Sequence, residues 1–83
     1  MKILYFAWIR ERVGKAEEEV DPPATVSTVA DLMEWLGKRG EEYAYALENR
    51  KIVRAAIDRV HVRPEATIAG AREIALFPPM TGG

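Results

Sequence analysis

Cysteine is absent from this chain of 83 residues, and with it a disulfide framework, a thiol nucleophile and a cysteine-built zinc site. Histidine occurs once, at His61, with no serine or cysteine partner in any motif, so a nucleophilic triad is unsupported. Metal binding by imidazole usually recruits several ligands, and one histidine among scattered carboxylates gives no metal site. No glycine-rich phosphate loop occurs, so the chain itself has no nucleotide site of that kind. Charge of one predominant sign is missing too: 12 basic residues face 13 acidic ones, for a net charge of −1, without the basic footprint of a nucleic-acid binder. Apolar runs all fall short of the roughly 18 residues needed to span a membrane. The start, Met1-Lys2-Ile3-Leu4-Tyr5, enters a strand-like run directly, with no signal-peptide pattern. These absences lead to the expectation of a cytoplasmic chain with no membrane or nucleic-acid partner, no bound metal or cofactor, and no catalytic machinery of its own.

What is present is concentrated at the other end. An apolar strand candidate, Glu73-Ile74-Ala75-Leu76-Phe77, runs straight into Pro78-Pro79-Met80-Thr81-Gly82-Gly83. Proline lacks an N–H and fixes φ, so Pro78 stops a strand ladder and the pair keeps the chain extended. The four residues beyond reach about 13–14 Å, at roughly 3.3–3.6 Å each. Two glycines at the tip carry no Cβ and fit a slot too narrow for any side chain. The group such a slot receives is the α-carboxylate of Gly83. A carboxylate is anionic and resonance-stabilised, hence a poor acyl donor until activated, most simply as a mixed anhydride with AMP. Lacking a nucleotide site, the chain needs an adenylating partner that supplies ATP.

Between the termini the pattern is that of one small α+β domain, residues 1–83, with a flexible tail over 78–83. Lys2 to Ile9, rich in β-branched and aromatic residues, reads as a buried central strand, followed by a turn at Arg10 to Gly14. Lys15 to Val20 reads as a polar second strand whose Glu17-Glu18-Glu19 run suits a solvated edge. Thr28, with Asp31 three residues on, forms a capping-box-like start, and Val29, Leu32, Met33 and Leu36 make one apolar helical stripe. Glu41 to Leu47 reads as a second short helix; Ile52 to Ile57, Val60 to Val62 and Glu73 to Phe77 read as strands. First and last strands paired at the sheet centre would give the β-grasp, ubiquitin-like plan: a mixed sheet with one main helix on one face.

One helix covers one face of a sheet, which leaves the other open. Alternation puts Ile74 and Leu76 on one face of the last strand and Glu73, Ala75 and Phe77 on the other. In the first strand it groups Ile3, Tyr5, Ala7 and Ile9 against Lys2, Leu4, Phe6 and Trp8. Leu4, Phe6 and Phe77 are thus expected as an apolar patch at the root of the tail, the mark of a partner site.

Three segments together carry a family pattern: Lys2 to Ala7 followed by Arg10-Glu11, Thr28-Val29-Ala30-Asp31-Leu32, and Ala75 to Gly83. They resemble the sulfur-carrier small subunits of molybdopterin synthase, over the whole length and most specifically at the C-terminus. The resemblance implies a β-grasp fold and a Gly83 that a ubiquitin-activating-like enzyme adenylates and that becomes a thiocarboxylate. It further implies a tail that enters a large catalytic subunit, within a heterotetramer, and gives sulfur to cyclic pyranopterin monophosphate. His61 stands where the family often has an apolar residue; as the outward member of Val60-His61-Val62 it is either a contact to the large subunit or a plain surface histidine. Two positions depart from the family pattern. Asp58 stands where asparagine is usual, and Gly70-Ala71-Arg72-Glu73 replaces Asp-Gly-Asp-Glu, with its glycine one position early. A sulfur carrier for thiamin thiazole synthesis, a ubiquitin-like protein modifier and a plain β-grasp interaction module share much of this pattern.

Overall fold

The computed structural model describes residues 1–79. Five strands form one mixed sheet: β1 (Lys2–Tyr5), β2 (Glu17–Glu19), β3 (Arg54–Ile57), β4 (Val60–Val62) and β5 (Glu73–Phe77), in the order β2-β1-β5-β3-β4. The first and last strands run parallel at the middle of the sheet, with Ile3 beside Ile74 and Tyr5 beside Leu76. All other neighbours are antiparallel. This is the expected ubiquitin-like β-grasp.

Three helices, α1 (Ala7–Val13), α2 (Val29–Gly37) and α3 (Glu41–Ala46), contribute to the same core and so lie on one face of the sheet. Ile3, Tyr5, Ile74, Leu76 and Ala55 of the strands meet Ile9, Val13, Leu32, Met33, Leu36, Tyr43 and Ala46 of the helices there. The main helix is α2, and it begins as its sequence dictates. Thr28 Oγ1 accepts from the Asp31 N–H at 3.1 Å, while Asp31 Oδ2 accepts from the Thr28 N–H at 3.2 Å. These bonds satisfy two donors that a bare helix start would leave open. The Asp31 carboxyl is held below its ordinary value by that cap, chiefly through bonds from the Ser27 backbone and hydroxyl.

Three expectations need correction. First, the opening strand does not run to Ile9. It stops at Tyr5, because Ala7 takes a positive φ of 53° and turns the chain into α1. The faces assigned to Ala7, Trp8 and Ile9 as strand residues therefore fall. Ile9 and Val13, four apart, are the buried stripe of a helix, and Gly14 closes it at φ 89° with its N–H on the Arg10 carbonyl at 2.8 Å. Secondly, α2 shares its face with α1 and α3 rather than covering it alone. Thirdly, the acidic run is not wholly solvated. Glu17 and Glu19 are exposed on the edge strand β2, but the Glu18 side chain turns inward and is 12% exposed. Its Oε2 accepts from the Tyr5 hydroxyl at 2.6 Å and the Tyr43 hydroxyl at 2.7 Å. Its Oε1 lies 3.3 Å from Arg39 and 3.6 Å from Lys15.

This cluster fastens α3 to β1 and β2, and each partner alters the others. Burial raises the Glu18 carboxyl, but the two tyrosine hydroxyls, Arg39 and Lys15 outweigh it and bring the group below its ordinary 4.5. Burial first, and the Glu18 carboxylate second, push both Tyr5 and Tyr43 upward. Smaller differences concern strand limits. β2 covers Glu17–Glu19 of the expected Lys15 to Val20, and Ile52 belongs to a 3₁₀ turn, Arg50–Ile52, that precedes β3. β4 and β5 coincide with their expected limits.

Candidate functional site

The middle strand β5 leads to the tail. Its last residue, Phe77, lies beside Arg54 of β3, and Pro78 and Pro79 follow outside the ladder, both half-buried. On its other flank the parallel pairing with β1 is carried one residue further by the Phe6 N–H, which donates to the Leu76 carbonyl at 3.1 Å. Phe6 and Phe77 are therefore neighbours in register at the root of the tail. Phe6 is 46% exposed, because it caps α1 with extended backbone instead of entering the core.

The sheet face turned away from the helices holds the remaining candidates. Leu4, half-buried, lies between Glu17 and Ala75; Ala75 in turn lies between Leu4 and Ala56. His61 is across from Ala56 on β4, and its ring approaches that of Phe77 with centroids 5.0 Å apart. The structure thus brings Leu4, Phe6, His61 and Phe77 to one face. Met80, Thr81, Gly82 and Gly83, the reactive end of the expected site, lie outside the described residues.

Reading the sequence placed Ala75 on this face but missed its neighbours Ala56 and Arg54 on β3. Ala56 and Ala75 form the flat middle of the face, and Arg54 borders it beside Phe77. Alternation through Arg54-Ala55-Ala56-Ile57 held the signal, since Ala55 belongs to the core and its neighbours must face the other way.

The far end of β5 is braced by the two departures from the family pattern. Asp58 and Arg59 form the two-residue loop between β3 and β4, with φ of 47° and 74°. Asp58 Oδ1 accepts from the N–H groups of both Arg72 and Glu73 at 3.0 Å, and the Asp58 N–H donates to the Glu73 carbonyl at 3.0 Å. Asp58 thereby ties the loop to the start of β5. Gly70 takes φ 76°, a conformation few other residues tolerate, so the early glycine serves the turn that leads into β5. Among the described residues no group of acidic or histidine side chains is arranged to hold a metal ion, and no helix is long and apolar enough to cross a membrane.

Residues 3–83 match the ThiS family. The chain belongs to that family. The molybdopterin synthase sulfur carrier subunit of Escherichia coli (strain K12) is 36% identical over 83 residues, spanning 100% of this chain and 99% of the relative. The protein of the same name from Haemophilus influenzae is 37% identical, with the same coverage. Among solved structures, SAMP1 from Haloferax volcanii aligns with a TM-score of 0.71 and 26% identity, covering 100% of this chain and 98% of that one. A putative molybdopterin converting factor, subunit 1, from Pyrococcus furiosus gives a TM-score of 0.71 and 25% identity, covering 95% of each chain. The resemblance read from the sequence is the one that these relatives carry. In this ThiS-family chain the central strand β5, the open face with Leu4 and Phe77, and Pro78-Pro79 converge at one place.

Proposed function

We propose that this chain is the sulfur carrier of a molybdopterin synthase, with the α-carboxylate of Gly83 as the sulfur-bearing group. The observation that carries the reading is the match, over essentially full length, to two proteins named as sulfur carrier subunits of that enzyme. Its chemistry follows from the tail. An adenylating enzyme of the ubiquitin-activating type joins the carboxylate to AMP with release of pyrophosphate. A sulfur nucleophile displaces AMP, leaving a thiocarboxylate. The tail then enters a large catalytic subunit, and its sulfur passes to cyclic pyranopterin monophosphate to build the dithiolene of molybdopterin. In this scheme the chain donates sulfur within the enzyme, while ATP binding and catalysis belong to its partners. The setting is the cytoplasm, and the complete synthase is a heterotetramer.

The open sheet face supports this division of labour. Leu4, Phe6 and Phe77, with His61 stacked near Phe77, offer an apolar seat beside the exit of the tail. A partner that grips the face holds the tail root in register with its own cleft. Intact-mass analysis of the chain isolated from its own cells is the test. The expected form carries one sulfur in place of one oxygen at Gly83 and reverts on mild hydrolysis. A tail that never carries sulfur, even in cells making molybdopterin, would exclude the proposal. A second reading, a ubiquitin-like modifier, draws on the β-grasp sheet order and the Gly82-Gly83 end of the sequence. Under that reading the same analysis finds Gly83 in isopeptide linkage to lysines of other proteins.

A further inference from the structure

The end of the molecule from which the tail leaves is lined with cations. Arg54 stands beside Phe77 in the β3–β5 register, and its Nη1 donates to the Lys51 carbonyl at 3.0 Å, which keeps the 3₁₀ turn with Arg50 and Lys51 close to it. On the other flank, α1 begins where β1 ends, and the Tyr5 N–H bonds the Ala16 carbonyl at 2.8 Å as the chain returns. The whole of α1, Arg10 included, is therefore held at the tail end of the sheet. Arg10, Arg50, Lys51 and Arg54 are all exposed. Among the described residues, none of the four forms an ion pair with a carboxylate.

The carboxylates nearby are Glu11 on α1, Glu48, and Asp31 and Glu34 across a shallow groove from Arg50 and Lys51. Three of them are engaged elsewhere: Glu48 with Arg12, Glu34 with Lys38, and Asp31 with the cap of α2. The opposite end of the sheet is different. Glu19, Glu73 and Asp58 gather there with Lys2, Arg59 and Arg72, so that carboxylates and cations balance. Glu17 lies beside Leu4, and its carboxylate pairs with Lys2. On a chain of net charge −1 the cations at the other end are therefore a local positive patch where β5 ends.

We propose that this cationic rim docks on a protein surface rimmed by carboxylates, at the mouth of the cleft that receives the tail. The inference rests on the proposed function and adds the chemistry of the partner. Arg54 borders the open apolar face beside Phe77, while Arg10 on α1 and Arg50 and Lys51 against α2 lie at the same end on the helix side, so cations flank one edge of the apolar patch as polar groups flank the core of a protein interface. Charges at such a rim act mainly on the rate of encounter and on orientation. A cationic end that orients the chain before contact serves a carrier that must meet more than one enzyme. Four cations around aromatic side chains on a chain without net positive charge argue against nucleic acid as the occupant.

The experiment measures association and dissociation rates of the full chain with the cognate large subunit over a series of salt concentrations. The Arg50→Glu, Arg54→Glu double variant is compared with Arg72→Glu, which changes an exposed charge at the opposite end of β5. Wild-type association is expected to slow as salt rises. The double variant should associate about tenfold more slowly at low salt, with dissociation changed far less. Arg72→Glu should associate no more slowly than wild type. Circular dichroism establishes that the variants fold; a double variant that fails to fold is replaced by Arg50→Gln and Arg54→Gln singly, each expected to slow association in the same direction. Binding that is tight but indifferent to salt and to these substitutions overturns the rim while leaving the carrier function standing. No binding at any salt concentration removes both. Salt-sensitive binding of a short DNA duplex, lost in the double variant, would assign the rim to nucleic acid and overturn the proposal.

Discussion

Arg59 occupies a backbone conformation that suits another residue. Together with Asp58 it makes a two-residue hairpin loop with both φ values positive, the geometry for which Asp-Gly is favoured. The left-handed conformation costs a residue with a Cβ roughly 1–2 kcal/mol, partly offset by the extra backbone freedom glycine loses on folding. The ion pair that Arg59 makes with Glu73, at 3.7 Å and largely solvated, adds little against this. Arg59→Gly is therefore expected to raise stability by about 0.5–1 kcal/mol, read as a higher urea midpoint with unchanged slope. Phe77 poses the opposite case. It is half-buried on the open face with its ring near His61, so Phe77→Ala should cost only about 1 kcal/mol of stability. As an aromatic anchor beside the tail, its removal should cost about 2 kcal/mol or more in affinity for the large subunit. Titration calorimetry beside a urea melt separates the two. A free variant that unfolds would place Phe77 among the groups that hold the sheet together.

At the scale of elements, the joint between β2 and α3 depends on one carboxylate. Glu18 accepts hydrogen bonds from two tyrosine hydroxyls, and the Tyr5 side chain is almost fully buried. Removing the acceptor with Glu18→Ala leaves a buried hydroxyl unsatisfied and should cost about 1–3 kcal/mol. The pH dependence has a definite sign. The folded-state pKa of Glu18 lies below its ordinary 4.5, so its contribution is present above that value and is lost as pH falls through the lower, folded-state value. Glu18→Gln keeps an acceptor without the charge. It is expected to be less stable than wild type at neutral pH, with the gap closing in acid. Thermal melts of the two proteins across the acidic range give the comparison, and a gap independent of pH would remove the carboxylate from this role.

For the whole molecule, the division between a packed core and the residues that follow β5 sets what mutations can separate. Core members among the described residues run from Ile3 to Leu76, and the tail follows β5 beyond them. Gly82→Ala adds one methyl group near the tip. Under the proposed function it should sharply reduce sulfur transfer in an assay reconstituted with both partners, and leave the melting temperature where it was. Equal activity of the two forms would show that no partner closes tightly around the tip. Where the cationic end lies matters at the same scale, because it orients the entire chain before any residue touches a partner.

Much of this was legible in order along the chain. The Thr28–Asp31 cap, the stripe from Val29 to Leu36 and the two-residue alternation of β5 are local signals, set by neighbours three, four or two positions away. They fix α2, β5 and the open face with Leu4, Phe6 and Phe77. Lys2 to Ile9 shows where local information ends. A continuous apolar run satisfies both a strand and a helix, and only the core decided that Ile9 and Val13 pack as α1 while Ala7 accepts a strained φ. Glu18 looked like its neighbours Glu17 and Glu19. Only the approach of Tyr43 from α3, 25 residues away, turned it inward. Arg10, Arg50, Lys51 and Arg54 are likewise scattered in sequence, and it is the β3–β5 register and the return of the chain after α1 that bring them to the tail end. Periodicity and helix caps are written in the sequence because they depend on adjacent residues; partners brought together by folding are written only in the fold.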